Sequence, residues 1–217
     1  MNRRSLPIAA ALTATAALML TACGGSDEKP KANDKIAGVD QGATKPTTPS
    51  AAASDPAERP KIELPKDVKN VFESWKTGDP AKDAALADAT QTVNAVDDAI
   101  LRGDINSPAL AFYRQGEALI SGTKWVQAWL DEDLTFTGVT RYFNPEISLF
   151  DKKTAAVVYC ADESKAYNKN RKSGEVDKSP SDESPYVLYN TRLQKSERGV
   201  WQTTNVLSKR GHKSCTS

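Results

Sequence analysis

The apolar positions divide the chain into three stretches. Ile8 to Leu20 is almost continuously apolar, broken only by threonines. From Gly24 to about Pro60 large apolar side chains nearly vanish, and Gly, Ser, Ala, Pro, Thr, Lys and Asp take over. From Ile62 onward the pattern becomes periodic. Val68, Val71, Phe72 and Trp75 carry the three-and-four spacing of one helical face, which predicts a first helix ended by Thr77-Gly78. Asp79-Pro80 supplies an N-cap and a first-turn proline for a second helix. Leu86, Ala89, Val93, Val96 and Ile100 form its buried stripe, and Asp88, Gln91, Asn94 and Asp98 its exposed face. Gly103 stops it. Ser107-Pro108 opens a third helical segment, through Leu110, Phe112, Leu119, Trp125, Val126, Trp129 and Leu130. That segment either breaks near Ser121-Gly122 or runs on as one bent helix.

After Leu134 the period falls to two. Val139, Arg141 and Phe143 alternate with Thr140 and Tyr142, and Asn144-Pro145 is expected to turn the chain. Ile147 and Leu149 lead to a turn at Asp151-Lys152. Thr154 to Asp162 reads as a strand, continued by Lys165 to Asn168 into a hairpin around Lys172-Ser173-Gly174. Val176 to Ser184 reads as polar and loose. Two strands follow, Tyr186 to Lys195 and Val200 to Ser208, joined by Glu197-Arg198-Gly199. Short connections between consecutive strands predict an antiparallel meander. Helices first and strands afterwards predict an α+β domain, with N-terminal helices packed on a curved antiparallel sheet.

The first stretch is too short for a membrane span, which needs about 20 apolar residues. Arg3 and Arg4 precede it and Leu20-Thr21-Ala22-Cys23 ends it. This run resembles the lipobox of bacterial lipoproteins, in which small residues admit a peptidase and the thiol becomes a lipid thioether. The expectation is a signal peptide at 1–22 and a lipid-modified (palmitate-type) Cys23. Residues 23–61 are expected to form a disordered tether and 62–217 the domain. Arg-Arg-Ser-Leu also fits twin-arginine export, but Pro7 spoils its pattern, so that route and the general secretory one both stay open. A flexible tether of that length reaches on the order of 35 Å, enough to clear lipid headgroups. The expected location is therefore the extracytoplasmic face of the cell membrane, within the cell envelope. With Cys23 lipidated, Cys160 and Cys215 remain, and two cysteines in an exported chain read as one disulfide.

Charge narrows the partners. Among 217 residues, 29 Lys and Arg balance 28 Asp and Glu, and nothing global steers the chain to nucleic acid. The basic residues Lys169, Arg171 and Lys172 fall at a hairpin tip and read as a solvated loop. Lys209, Arg210 and Lys213 form a terminal cluster that is expected to brush a lipid surface at most. No phosphate loop, Cys-x-x-Cys or ligand-spaced His/Asp/Glu set is present, so neither metal nor cofactor is expected. The single histidine, His212, lies in the terminal tail, so no catalytic residue is assigned.

The helical pair before Gly103, Phe-Asn-Pro-Glu-Ile-Ser-Leu at 143–149, and Tyr-Cys-Ala-Asp within Val157 to Asp162 occur in a definite order. The Lys-Ser-Gly hairpin and Gly199-Val200-Trp201 complete it. The pattern over Asp67 to Ser208 resembles the nuclear transport factor two-like, cystatin-like superfamily, and more narrowly small lipoproteins of Gram-positive bacteria with such a domain. That resemblance implies a cone-like half-barrel, a pocket between sheet and helices, and a sheet-mediated homodimer. Pocket residues read from the sequence are Asp162, Tyr142 and Trp129. Tyr113, Trp125 and Trp201 are further aromatic candidates that more commonly belong to a core. In isomerases and cyclases of the superfamily a pocket aspartate shuttles a proton; Asp162 is the candidate here. The plainer reading is a strand-end aspartate capping the turn at Ser164. The leading expectation is thus a non-catalytic envelope module that binds a small apolar molecule or a protein partner. A small isomerase- or cyclase-like enzyme using Asp162 is the alternative.

Overall fold

The structure is a computed structural model that describes residues 58–179 and 183–216. The expected signal peptide, Cys23 and the expected tether up to residue 57 lie outside the described residues. Residues 58–61, read above as the end of the tether, are described, and Arg59 is already bonded to Asp88.

The described chain runs β1 (Val68–Phe72), α1 (Pro80–Arg102), α2 (Pro108–Tyr113), α3 (Gly116–Asp131), then β2 (Leu134–Leu149) and β3 (Thr154–Asn170). It continues with β4 (Val176–Asp177), β5 (Tyr186–Lys195), β6 (Trp201–Arg210) and a 3-10 turn at Lys213–Cys215. The sheet order is β1-β2-β3-β5-β6, with β4 beside β3. Every pairing is antiparallel except β1 with β2. The three helices pack on one face of the curved sheet, so the α+β cone-like architecture read from the sequence is the one observed.

α1 forms as its sequence demands. The Asp79 side chain accepts from the N–H groups of Ala81 and Lys82, and Pro80 follows it. Gly103 closes the helix in the left-handed conformation, its N–H bonded back to Ala99 and Ile100. Leu86, Ala89, Val93, Val96 and Ile100 are all buried, as the stripe predicts. The face expected to be exposed is not. Asp88 and Asp98 are both buried: Arg59 and the Trp201 N–H at the start of β6 meet Asp88, and Arg102 pairs with Asp98.

The first predicted helix is instead the edge strand β1. Phe72 stacks on Tyr142 on the inner face, whereas Val71 faces outward beside Val139. Trp75 returns to the interior after a turn with positive φ at Ser74 and donates from Nε1 to the Tyr142 carbonyl. Each face of the five-residue strand carries an apolar side chain, Val68 and Phe72 inward and Val71 outward, and the result imitates a helical spacing.

The third helical segment breaks at Arg114–Gln115, not at Ser121-Gly122. There the backbone becomes extended, Arg114 bridges Thr203, and the Gln115 N–H donates to the Thr203 carbonyl. β6 therefore takes a stretch of chain out of the helix. Asn144-Pro145 does not reverse the chain either. β2 continues through it with a register shift between Phe143 and Glu146, and Asn144 takes positive φ, a bulge that bends the strand. A second irregularity lies near Gly138, where a Cβ would stand 2.1 Å from the Lys165 carbonyl oxygen and φ is +103°. Only glycine fits that approach. Within the segment expected to be loose, Val176–Asp177 pairs with β3.

The basic hairpin tip is not a simple solvated loop. Lys169 and Lys172 pair with Asp67 and Asp133. Arg171 reaches inward and donates to the Ile100 and Leu101 carbonyls at the C-terminus of α1 and to the Leu134 carbonyl at the start of β2. At the other end of the sheet Cys160 and Cys215 are joined. The bridge holds the 3-10 turn against Phe143, Tyr186 and Leu188 on the outer face. His212 caps that turn, its Nδ1 accepting from the Ser214 N–H at 3.3 Å.

Candidate functional site

Alternation along β3 decides which side chains can reach the cone. Ala155, Val157, Tyr159 and Ala161 face the helices and join the core with Leu86, Ala89 and Val93. Val158, Cys160 and Asp162 face the other way. Asp162 is thus on the outer surface, and the three pocket residues read from the sequence are not brought together. Its carboxylate pairs with Arg141 at 3.3 Å and accepts from the Ser164 N–H at 3.0 Å, the turn-capping role. Partial burial works against its charge. The bonds from Ser164 and Arg141 outweigh that and hold its carboxyl below the ordinary range, opposite to a tuned base. Beside it lies a hollow of about 110 Å³, lined by Val71, Val139, Arg141, Asp162, Ser164 and Lys165.

Trp129 sits at the far end of the helical layer, packed with Val126, Ile100 and Phe136, and its buried Nε1 has no partner. Tyr113 and Trp201 are core residues, and Trp125 is 55 % exposed on α3. Tyr142 alone of the three faces the cone interior.

There it belongs to a set that sequence reading did not assemble. Tyr142 on β2, Tyr159 on β3 and Tyr189 on β5 succeed one another across the inner face, Tyr159 and Tyr189 stacked with centroids 5.1 Å apart. Phe72 and Trp75 close one flank of the row. Burial pushes all three phenols above their ordinary range, with further contributions from nearby carboxylates. Among the described residues none of the three hydroxyls has a hydrogen-bond partner. Opposite them stands Asp97 of α1. Its Oδ2 accepts from Asn70 Nδ2 at 2.6 Å, and the same amide donates to Asn94 Oδ1 at 3.0 Å. Burial pushes the Asp97 carboxyl up to about 7, against the lowering effect of Asn70; Glu163 adds to the rise and Arg114 opposes it. Burial likewise lowers the Arg114 guanidinium.

Two buried polar atoms of this set have no partner, Asn70 Oδ1 and Arg114 Nε. Yet Asp97, Arg114 and Tyr189 each retain some accessible surface. Glu163, paired with Arg210 at 2.7 Å, stands beside Tyr189. A sequence signal for Asp97 existed. It lies four residues after Val93 and three before Ile100, a carboxylate beside an otherwise apolar stripe. Nothing in the sequence placed Asn70, Arg114 and the tyrosines around it. Among the described residues no group of His, Cys, Asp and Glu could hold a metal ion.

The raised carboxyl has a consequence for stability. The folded state retains the Asp97 proton between about pH 4, where an unfolded aspartate titrates, and about pH 7. Stability is therefore expected to fall as pH rises through that window. Asp97→Asn should flatten the decline and exceed wild type above it by on the order of 2 kcal/mol. Urea unfolding on both sides of neutrality checks this; parallel pH profiles for the two proteins would refute it.

No family model matches the chain, and no curated relative matches it. Among solved structures, a ketosteroid isomerase-like protein from Erwinia carotovora atroseptica SCRI1043 is similar at 19% identity. The likeness spans 59% of this chain and 95% of that one, with a TM-score of 0.38. The intermembrane space region of the chloroplast protein ARC6 is similar at 10% identity over 63% of this chain and 99% of that one, with a TM-score of 0.39.

Proposed function

We propose that this chain is a lipid-anchored extracytoplasmic protein whose cone binds a small molecule with a polar end, without chemistry. The observation that carries the reading is the pair of unpartnered buried atoms, Asn70 Oδ1 and Arg114 Nε, on the residue that bonds Asp97 and the residue whose charge opposes the rise of its carboxyl. Nearly all buried polar groups in folded proteins are satisfied by protein or water. Asn70 Oδ1 can accept from, and Arg114 Nε and the neighbouring tyrosine hydroxyls can donate to, the polar end of a small molecule. A purely apolar ligand would leave them unpaired, so the partner expected from sequence is revised to one with a polar end. Native mass spectrometry of the protein purified from its own host tests the reading. A retained small molecule, lost on Asp97→Ala, is the expected result; a chain of bare mass from every preparation is the opposing one.

A second reading rests on the Asp97 carboxyl near neutrality, where general acid–base groups work best. The isomerase- or cyclase-like alternative then places its base at Asp97, because Asp162 is outside the cone and ion-paired. Conversion of the retained molecule by wild type and not by Asp97→Asn would promote it.

The anchor is proposed at Cys23, on the strength of Leu20-Thr21-Ala22 behind a short apolar stretch. Cys23→Ser is expected to move the protein from the membrane fraction to the soluble one. Retention of the variant in salt-washed membranes would remove the anchor from the proposal.

A further inference from the structure

Arg114 is the unusual member of the cone. It lies where α2 gives way to extended backbone against β6, and its side chain passes beneath α3. Nη1 donates to the Ala118 carbonyl at 3.2 Å. The Nε–Nη2 edge has no described hydrogen bond, and Nε is buried. Arg59, Arg102, Arg141 and Arg210 each hold a carboxylate; Arg114 holds none. The carboxylate nearest to it electrostatically, Asp97, is bonded to Asn70 instead. A buried guanidinium without a counter-ion is costly, and its unpartnered Nε–Nη2 edge is the fork that takes a carboxylate through two parallel N–H···O bonds.

Gly122 is a second, independent observation. It sits in the interior of α3, where glycine weakens a helix. A Cβ at that position would stand 2.9 Å from Arg114 Nη1 and 3.4 Å from its Cδ. Glycine leaves the space through which the guanidinium reaches the cone.

Building on the binding reading above, we infer that the ligand of the cone is a small planar monocarboxylate, its anionic end held by the unpartnered Nε–Nη2 edge of Arg114. A single negative charge suits the site, because the Glu163 carboxylate beside Tyr189 opposes a second. A planar body suits it because Tyr189, stacked on Tyr159, keeps some accessible surface on the same inner face.

The test is calorimetric titration of the full-length Cys23→Ser chain with millimolar benzoate and, separately, with benzamide, its neutral counterpart of the same shape. Benzoate should bind, and benzamide at least about tenfold more weakly, a difference set by the charge-assisted fork. Arg114→Met should weaken benzoate by a similar factor. Because that variant removes a buried contact, Gly122→Ala provides the second arm. It keeps the arginine and favours the helix, so it should stay folded by circular dichroism while displacing the guanidinium and losing benzoate. Equal binding of the two probes, undiminished benzoate binding by Gly122→Ala, or no binding of benzoate would each overturn the carboxylate assignment. A neutral molecule retained in native mass spectrometry would overturn it too, while leaving the binding reading intact. Bare mass there would bring down the binding reading itself.

Discussion

Cys215→Ser is expected to lower the unfolding free energy by about 4 kcal/mol, the chain-entropy cost of freeing a loop of this length. The bridge joins residues 55 apart in sequence, and without it the unfolded chain regains the freedom the loop had lost. The folded state loses something as well. Cys215 is buried against Cys160 and Phe143, with Tyr186 and Leu188 alongside, and the turn that carries it has few other attachments. Released, the last residues would fray and uncover that part of the outer face. Urea unfolding of the oxidised protein and of Cys215→Ser provides the comparison. A difference below about 1 kcal/mol would mean that the constraint does little for this fold. Thiol labelling of the denatured, unreduced wild-type protein should find neither Cys160 nor Cys215 free.

The second large effect is expected at Asp88. Its Oδ1 and Oδ2 accept from Arg59 Nε and Nη2 at 3.1 and 3.0 Å, and Oδ2 accepts from the Trp201 N–H at 2.9 Å. One carboxylate thereby joins the chain just ahead of the domain, the middle of α1 and the start of the last strand. Truncation to alanine leaves the buried Trp201 N–H without an acceptor and Arg59 without its partner. Asp88→Ala should cost about 3 kcal/mol, from one orphaned buried donor and a lost charge-assisted pair. Arg59→Ala should cost only about 1 kcal/mol, because that side chain is 45% exposed and solvent screens it. Asp88→Asn keeps an acceptor for Trp201 and should fall between the two. Equal losses for Arg59→Ala and Asp88→Ala would place the whole effect in the ion pair and none in the strand contact.

Local chemistry was legible in the sequence where it acts through neighbours in the chain. α1 follows from the Asp79 cap, Pro80, the apolar stripe and Gly103, all of which act within a few residues of one another. The turn at Asp151-Lys152, the hairpin around Lys172-Ser173-Gly174 and the two last strands follow from turn residues and alternation, which are equally local. Helices before strands was enough for the α+β class, because each element must bury one face against the other kind. The turn-capping reading of Asp162 needed only Ser164, two residues on.

What tertiary structure decided involves partners far apart in sequence. Val68 to Phe72 became a strand because β2, 70 residues later in the register pair Val68 and Gly138, offered it a parallel edge. The helix broke at Arg114–Gln115 because Thr203 took the backbone bonds there. Asp88 was buried because Arg59 and Trp201 met it from two other parts of the chain. The candidate site shows the same division. Residue type groups Asp162, Tyr142 and Trp129, but the alternation of β3 turns Asp162 outward, β2 turns Tyr142 inward, and α3 packs Trp129 against Ile100 and Phe136. Asp97, Arg114 and the tyrosines share nothing in sequence. They meet because α1, the α2–α3 break and three strands converge on one inner face, and burial there gives each group a chemistry that its identity alone does not specify.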